Sequence, residues 1–241
     1  AVSSHTGSIA GSDIAFEAAF KKAGVIRAYS VEELFDYAIV FSYQSLIKGN
    51  NIAIVTNAGG PSVMAVDAIE KNGLHLAEIS EKTQEKLKSF LPPAANTHNP
   101  VDALGDVNAD NYGKALEVVL SDESVDGVIC ILTPQVVTQV KETADKVIEI
   151  SGKYDKTIVG CFMGGVRMEE GIKKLGEGKI PNYPFPERCV FSLKRMFDYR
   201  KYLEREKEEV KIFKVEKEKV KEKIMEMKEK GIKIVGDVEG R

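Results

Sequence analysis

The first residues of the chain place a single histidine among hydroxyl and glycine residues, in the run Ser3-Ser4-His5-Thr6-Gly7. An imidazole can act as a nucleophile toward a phosphoryl group. The free N–H groups of such a loop, followed at once by a predicted helix, suit an anion. These residues indicate a phosphate site that contains His5, although a solvated loop with an incidental histidine is the simpler interpretation of this stretch alone.

A second stretch with chemical meaning is the turn Asn57-Ala58-Gly59-Gly60-Pro61, which joins a predicted buried strand to the N-terminus of a helix. Ligands of open α/β sheets bind at this edge, outside the carboxyl ends of the strands. Two glycines let a ligand approach the backbone closely, and the helix dipole favours negative charge at the first turn. The turn by itself fits simple tight packing equally well.

Alternating strand and helix patterns run through the middle of the chain and must position these two stretches. Three largely apolar stretches, at residues 51–56, 125–132 and 157–163, are typical of parallel strands buried on both faces. Helical periodicity separates them, which predicts an α/β fold: a flavodoxin-like parallel sheet with helices on both faces. Shorter strands are expected at residues 25–29, 74–79 and 180–183, a loop at 92–106, and helices at 12–23, 31–47, 62–72, 81–90, 109–120, 135–152, 166–175 and 185–203.

Three segments of the chain differ in what they can fold into. Residues 1–48 offer two helices and one short strand, which is too little core for a domain by themselves. Residues 49–203 contain a complete α/β pattern. Residues 204–241 are dense in Glu and Lys, and pairs at i, i+4 predict a charged, solvated helical tail.

The composition excludes several classes of protein. The chain has 241 residues with 34 basic and 37 acidic side chains, and its net charge of -3 offers no basic surface for nucleic acid. No apolar run is long enough for a membrane span and no signal-peptide pattern is visible, so we expect a cytoplasmic protein. Cys130, Cys161 and Cys189 lack the spacing of a metal site, and we expect buried, reduced thiols.

Six motifs follow one another along the chain: SSHTGSIAGSD at residues 3–13, VTNAGGPSVMAVDA at 55–68, NPVDALGD at 99–106, LTPQ at 132–135, MGG at 163–165 and YPFPERCV at 183–190. Together they resemble the NDP-forming acyl-CoA synthetases, which include the ADP-forming acetyl-CoA synthetases and relatives of succinyl-CoA synthetase. Several motifs in the right order are far more specific than any one of them. The resemblance covers roughly residues 1–205.

The resemblance implies a phosphohistidine mechanism. In that family the histidine after Ser-Ser carries the phosphoryl group, which gives this role to His5, with Thr6, Gly7 and Ser8 as flexible donors to the phosphate. Helix N-termini from two domains hold the phosphohistidine, and one of them matches the diglycine turn. The further phosphate-binding residues that it implies are Asn57, Ala58, Gly59, Gly60 and Ser62. The implied reaction interconverts acyl-CoA, ADP and phosphate with a carboxylic acid, CoA and ATP.

The resemblance also implies domains and ligands beyond this chain. An upstream domain would bind CoA, and an ATP-grasp domain, fused or in a separate beta subunit, would bind ATP or ADP with Mg. Inorganic phosphate is a substrate, and no flavin is expected. Residues 1–48 are then the end of a truncated flavodoxin-like domain, and residues 49–203 are a complete flavodoxin-like CoA-ligase domain.

We therefore expect a chain truncated at both ends, inactive alone and part of a hetero- or homo-oligomer. The acyl group cannot be read from these residues. Two alternatives stay open. One is a ligase-like regulatory module of a protein acyltransferase, and the other is a non-catalytic flavodoxin-like domain for binding or assembly.

Overall fold

The computed structural model describes residues 13–206 and 216–231 of the chain. Contacts divide the chain into two units, residues 1–205 and residues 206–241, and each is described by itself. The predicted site residues that lie outside the described residues are His5, Thr6, Gly7 and Ser8.

The helices and strands of the described residues alternate through most of the first unit. They are α1 (Asp13–Ala23), α2 (Val31–Tyr43), β1 (Asn51–Thr56), α3 (Gly59–Lys71), β2 (His75–Leu76), α4 (Glu81–Lys88), β3 (Val101–Asp102), α5 (Ala109–Leu120), β4 (Gly127–Leu132), α6 (Val140–Ser151), β5 (Thr157–Phe162), a 3-10 turn (Gly165–Met168), α7 (Glu169–Glu177) and α8 (Pro186–Glu204). The second unit contributes α9 (Lys217–Glu229).

Five parallel strands form one sheet in the order β2-β1-β4-β5, with β3 also paired to β1. β2 lies beside the first half of β1, where Asn51 is opposite His75. β3 lies beside the second half, where Thr56 is opposite Asp102. The end of β3 is therefore next to the end of β1.

Alternate residues of the central strands face two separate hydrophobic cores. Ala53 and Val55 belong to a core shared with α4, α5, α6 and α7, whereas Ile52 and Ile54 belong to a core shared with α2, α3 and α8. Successive side chains of a strand point to opposite faces, so the two groups of helices cover opposite faces of the sheet. The predicted α/β fold, a parallel sheet with helices on both faces, is confirmed.

The short strands differ from the sequence-based expectation. Residues 25–29 form an irregular connection between α1 and α2, because no neighbouring strand pairs with them in the described residues. β2 is shorter than the predicted strand at residues 74–79. The predicted strand at residues 180–183 pairs through a single bridge, between Gly160 and Asn182.

Asn99 fills the gap between β2 and β3 and replaces a strand residue with its side chain. Its Nδ2 donates to the carbonyl oxygens of Ile52 and Ala77 at 2.9 Å each, and its Oδ1 accepts the N–H of Ile54 at 2.9 Å. The backbone of β1 is thereby satisfied without a continuous neighbouring strand. The segment predicted as a loop at residues 92–106 thus contains a strand, β3, that the sequence pattern did not predict.

α2 ends at Tyr43 instead of continuing to residue 47, because Gln44 turns to cover the outer edge of β5. The Oε1 atom of Gln44 accepts the N–H of Ile158 at 2.9 Å. Further along the same edge, Oδ1 of Asn182 accepts the N–H of Phe162 at 2.8 Å. Two side-chain amides thus satisfy backbone donors that no further strand of the described residues reaches.

A partly buried ion pair joins α2 to α8. Nε and Nη2 of Arg188 each donate to one carboxylate oxygen of Asp36 at 2.7 Å. The hydroxyl of the buried Tyr183 donates to the backbone carbonyl of Asp36 at 2.9 Å. Because the ion pair is bidentate and largely shielded from water, it fixes both the distance and the orientation of the two helices.

Asp122 joins the end of α5 to the start of α4. Its Oδ2 accepts the N–H and the hydroxyl of Ser80 at 2.8 Å each, and its Oδ1 accepts the N–H and the hydroxyl of Ser124 at 3.0 and 2.8 Å. Burial acts to raise the pKa of Asp122, but the hydrogen bonds, including one from Thr83, outweigh it and lower this pKa well below its ordinary value.

Three further expectations can be compared with the described residues. Cys130, Cys161 and Cys189 are buried and free, as the prediction of reduced thiols requires. α9 provides a helix within the charged tail, with Lys230 Nζ 2.5 Å from Glu226 Oε1. Across residues 13–206 and 216–231, no helix has both the length and the apolar character needed to cross a membrane.

Candidate phosphate site at the carboxyl edge of the sheet

The diglycine turn lies where parallel strands β1, β3 and β4 end. β1 ends at Thr56, β3 at Asp102 and β4 at Leu132, and the connection after β1 leads directly into α3 at Gly59. Ligands of open α/β sheets bind beyond the carboxyl ends of the strands. The fold therefore places the predicted turn at the edge of the sheet that is suited to a ligand.

Asn57 ties the connections after β1 and β4 together. Its Nδ2 donates to the carbonyl oxygen of Thr133 at 2.9 Å, and its Oδ1 accepts the N–H of Thr133 at 2.8 Å. The side chain is buried, with the residue 2% exposed. Both polar atoms of the Asn57 amide are occupied within the chain, so its observed contacts position the turn.

The side chains that flank the turn also bond to its backbone. The hydroxyl of Thr56 lies 2.9 Å from both the N–H and the carbonyl oxygen of Ala58. The hydroxyl of Ser62 donates to the carbonyl oxygen of Gly59 at 2.7 Å. These bonds fix the backbone at the entrance to α3, where the helix begins without a side-chain cap.

Two backbone amides at the start of α3 are open to an anion. Gly59 and Gly60 are exposed, and neither N–H is hydrogen-bonded to another residue in the described part of the chain. The first N–H groups of a helix have no partner within the helix, and the helix dipole places partial positive charge beside them. Pro61, which follows, has no N–H to offer. The turn thus offers two backbone donors at exposed residues.

A carboxylate lies close to Gly59, the first residue of α3. A Cβ atom added to Gly59 would lie 3.4 Å from Oδ2 of Asp102, whereas one added to Gly60 would meet no atom of the described residues within 4 Å. Asp102 ends β3, and its Oδ1 accepts the N–H of Leu104 at 2.9 Å. Leu104 has a φ of +72°, an unusual conformation for a residue with a branched side chain. Asp102 therefore supports a strained loop beside the turn.

Gly164 makes a close approach between the connections after β4 and β5. It has a φ of +142°, and a Cβ added to it would lie 2.4 Å from Cδ of Pro134. Only glycine allows this contact without displacement. The MGG and LTPQ motifs are therefore in contact at the same edge as the diglycine turn.

The structure brings together some of the predicted site residues. Asn57, Ala58, Gly59 and Gly60 lie in the turn, and Ser62 follows it within α3. The described histidines, His75 and His98, are exposed, and neither lies in the turn. Sequence reasoning missed the approach of Asp102 to Gly59, for which the NPVDALGD motif was the available signal. Within the described residues, no group of three or more His, Cys, Asp and Glu side chains could hold a metal ion.

Two family profiles match the sequence in consecutive segments. The Ligase-CoA domain matches residues 52–202, which is more than half of the chain. The succinyl-CoA ligase like flavodoxin domain matches residues 1–41. Residues 1–41 include α1 and most of α2. Residues 52–202 include nearly all of the sheet and the diglycine turn.

Similar proteins are named as ADP-forming ligases. The chain is 43% identical over 239 residues to acetate–CoA ligase [ADP-forming] I of Archaeoglobus fulgidus, covering 98% of this chain and 33% of that protein. It is 38% identical over 214 residues to the alpha subunit of acetate–CoA ligase [ADP-forming] I of Pyrococcus furiosus, covering 86% of this chain and 45% of that subunit.

A solved structure agrees with these relatives. The dinucleotide-forming acetyl-coenzyme A synthetase 1 of Ca. Korarchaeum cryptofilum, in complex with phosphate and ADP, matches with a TM-score of 0.76 and 30% identity, over 82% of this chain and 43% of that one. The chain thus spans between 33% and 45% of the length of these three proteins. The resemblance seen in the motifs is confirmed, and the chain belongs to the Ligase-CoA domain family.

Proposed function

We propose that this chain is part of an ADP-forming acyl-CoA synthetase, which interconverts acyl-CoA, ADP and phosphate with a carboxylic acid, CoA and ATP. The relatives named above support this reaction class. The observation that carries the proposal is the pair of exposed amides at Gly59 and Gly60, at the ligand-binding edge of a Ligase-CoA domain. These amides suit the anionic phosphoryl group that such a reaction must transfer.

His5 is the phosphoryl carrier in this proposal. Phosphate attacks the acyl carbon of acyl-CoA, the CoA thiolate leaves, and an acyl phosphate forms. An imidazole nitrogen of His5 then attacks phosphorus and the carboxylate leaves. Finally an oxygen of ADP attacks the phosphohistidine, the imidazole leaves, and ATP forms. Thr6, Gly7 and Ser8 supply donors around the phosphoryl group.

The diglycine turn holds the phosphohistidine in one stage of this sequence. A phosphorylated side chain carries about two negative charges near neutral pH. Backbone N–H groups and a helix dipole stabilise that charge without offering a competing nucleophile. The donors are the amides of Gly59 and Gly60, while Asn57, Ala58 and Ser62 fix the backbone that carries them.

The remaining chemistry belongs to other parts of the protein. Residues 1–48 are the end of a flavodoxin-like ligase domain, residues 49–203 are the CoA-ligase domain, and residues 204–241 are a linker. A CoA-binding domain and an ATP-grasp domain bind CoA, ATP or ADP and Mg. The ATP-grasp domain is fused or is a separate subunit, in a hetero- or homo-oligomer in the cytoplasm. Relatives that include an alpha subunit support such a division.

The test is the substitution His5→Ala in the complete enzyme, with ATP formation measured from acyl-CoA, phosphate and ADP. We expect turnover to fall to background and the acid-labile, base-stable label from radioactive ATP to disappear. His98→Ala, at an exposed histidine away from the turn, is the matched control and should keep both. Turnover that survives His5→Ala would refute the phosphohistidine role and favour a non-catalytic or regulatory module.

A further inference from the structure

Asp102 is held rigidly beside the diglycine turn. Its backbone N–H and carbonyl each bond to Asn96 at 3.0 Å, and the N–H of the next residue, Ala103, donates to the carbonyl of Thr56 at 2.8 Å. β3 therefore fixes the Asp102 backbone from both sides. This two-residue strand places one carboxylate at the site edge with little freedom to move.

The two oxygens of the Asp102 carboxylate have different surroundings. Oδ1 accepts the N–H of Leu104 at 2.9 Å and supports the loop. Oδ2 faces Gly59, at 3.4 Å from the position of an added Cβ. A side chain that only supported the loop would need one acceptor atom. The second oxygen places negative charge beside Gly59, at the N-terminus of α3, where the exposed amides are suited to an anion.

We propose that Asp102 weakens the hold of the Gly59 and Gly60 amides on the phosphoryl group, so that the group can leave for its next acceptor. This inference rests on the proposed function. While no phosphoryl group is present, the negative carboxylate interacts favourably with the partial positive charge at the N-terminus of α3. It repels a phosphoryl group that binds there, because like charges at such a separation raise each other's energy. A site that takes part in phosphoryl transfer must release the group as well as bind it. Asp102 sets the balance between binding and release.

The substitution Asp102→Asn separates charge from shape. Asparagine keeps an acceptor oxygen for the N–H of Leu104 and has nearly the same size, so the loop retains its support. Asp106→Asn is the matched control, because Asp106 is exposed on the same connection and the change in net charge is identical. Asp102→Ala removes both the charge and the acceptor for the N–H of Leu104. It therefore shows the effect of losing the support of the loop.

The direct measurement is a titration of the 241-residue chain with inorganic phosphate, followed through the amide NMR signals of Gly59 and Gly60. We expect Asp102→Asn to bind phosphate about tenfold more tightly than the wild type at low salt. The difference should shrink as salt shortens the screening distance, and Asp106→Asn should stay within about twofold of the wild type. Equal or weaker binding by Asp102→Asn would overturn the inference, as would phosphate that leaves both amide signals unmoved.

The complete enzyme separates this inference from the proposed function. With tighter binding and slower release, Asp102→Asn should lower both KM for phosphate and kcat, whereas damage to the loop, reported by Asp102→Ala, should raise KM. If His5→Ala abolishes turnover while Asp102→Asn changes neither constant, Asp102 has no such role and the phosphohistidine stands. If His5→Ala keeps turnover while Asp102→Asn still tightens phosphate binding in the titration, the charge effect of Asp102 stands and the carrier role of His5 fails.

Discussion

Replacing Arg188 with methionine is expected to lower the free energy of unfolding by about 3 kcal/mol. The change removes two hydrogen bonds of 2.7 Å and leaves the carboxylate of Asp36 without its counter-charge. Losing one partner of a buried ion pair costs ~3–5 kcal/mol. The side chains are 28% exposed for Arg188 and 9% for Asp36, so water reaches the vacated position and the lower end of that range applies.

Urea unfolding followed by circular dichroism at neutral pH measures this loss directly. For a unit of this size, the same loss lowers the melting temperature by roughly 6–12 °C. Arg200→Met is the control, because Arg200 makes a pair of the same length, 2.7 Å, with Glu204 on the exposed side of α8. An exposed pair contributes at most about 1 kcal/mol.

A second variant tests the reason for the loss rather than its size. Asp36→Leu combined with Arg188→Met removes both charges and should recover most of the stability, because an apolar pair can replace a buried ion pair at little cost. The reasoning fails if Arg188→Met costs no more than Arg200→Met. It also fails if the double variant is less stable than Arg188→Met alone.

Three other substitutions test contacts between helices, within the sheet and at its edge. Because the folded-state pKa of Asp122 is lowered, its carboxylate adds stability above the unfolded pKa of about 4, and this is lost as the pH falls through the folded value. Asp122→Asn should lower the free energy of unfolding by about 2 kcal/mol at pH 7 and by less below pH 4. Urea unfolding at both pH values measures this difference, and a loss of stability that grows as the pH falls would contradict the prediction. Asn57→Leu leaves the backbone of Thr133 without its partners and should cost about 2 kcal/mol while weakening phosphate binding at the turn; urea unfolding and the phosphate titration check both effects. Tyr112→Phe removes a buried hydroxyl that lies 2.9 Å from two strand carbonyls and should cost about 1 kcal/mol in urea unfolding.

The central strands could be predicted because their sequences carry their own signal. β1, β4 and β5 are six-residue, mostly apolar strands that are buried along almost their whole length. β2 and β3 have two residues each and no comparable pattern. β3 begins shortly after Asn99, whose side chain bonds to the backbone of β1. That contact joins residues far apart in sequence, so no local periodicity reports it.

The candidate site was predictable in outline for the same reason. A strand, two glycines and a helix are adjacent in sequence, which located the turn at Gly59 and Gly60. The approach of Asp102 to Gly59 and the pair of hydrogen bonds between Asn57 and Thr133 depend on which strands end side by side. Those neighbours follow from the sheet order, and the sequence pattern alone does not specify it. The phosphate-binding role of the turn and of His5 stays a prediction.

The outer edge of β5 limits how this unit can associate with other proteins. The N–H groups of Ile158 and Phe162 are already bonded to Gln44 and Asn182. Between them, the N–H of Gly160 bonds to the carbonyl of Pro181 at 2.8 Å. An incoming strand would have to displace all three acceptors before it could add to the sheet. Fibril-like stacking and strand exchange along this side are therefore disfavoured.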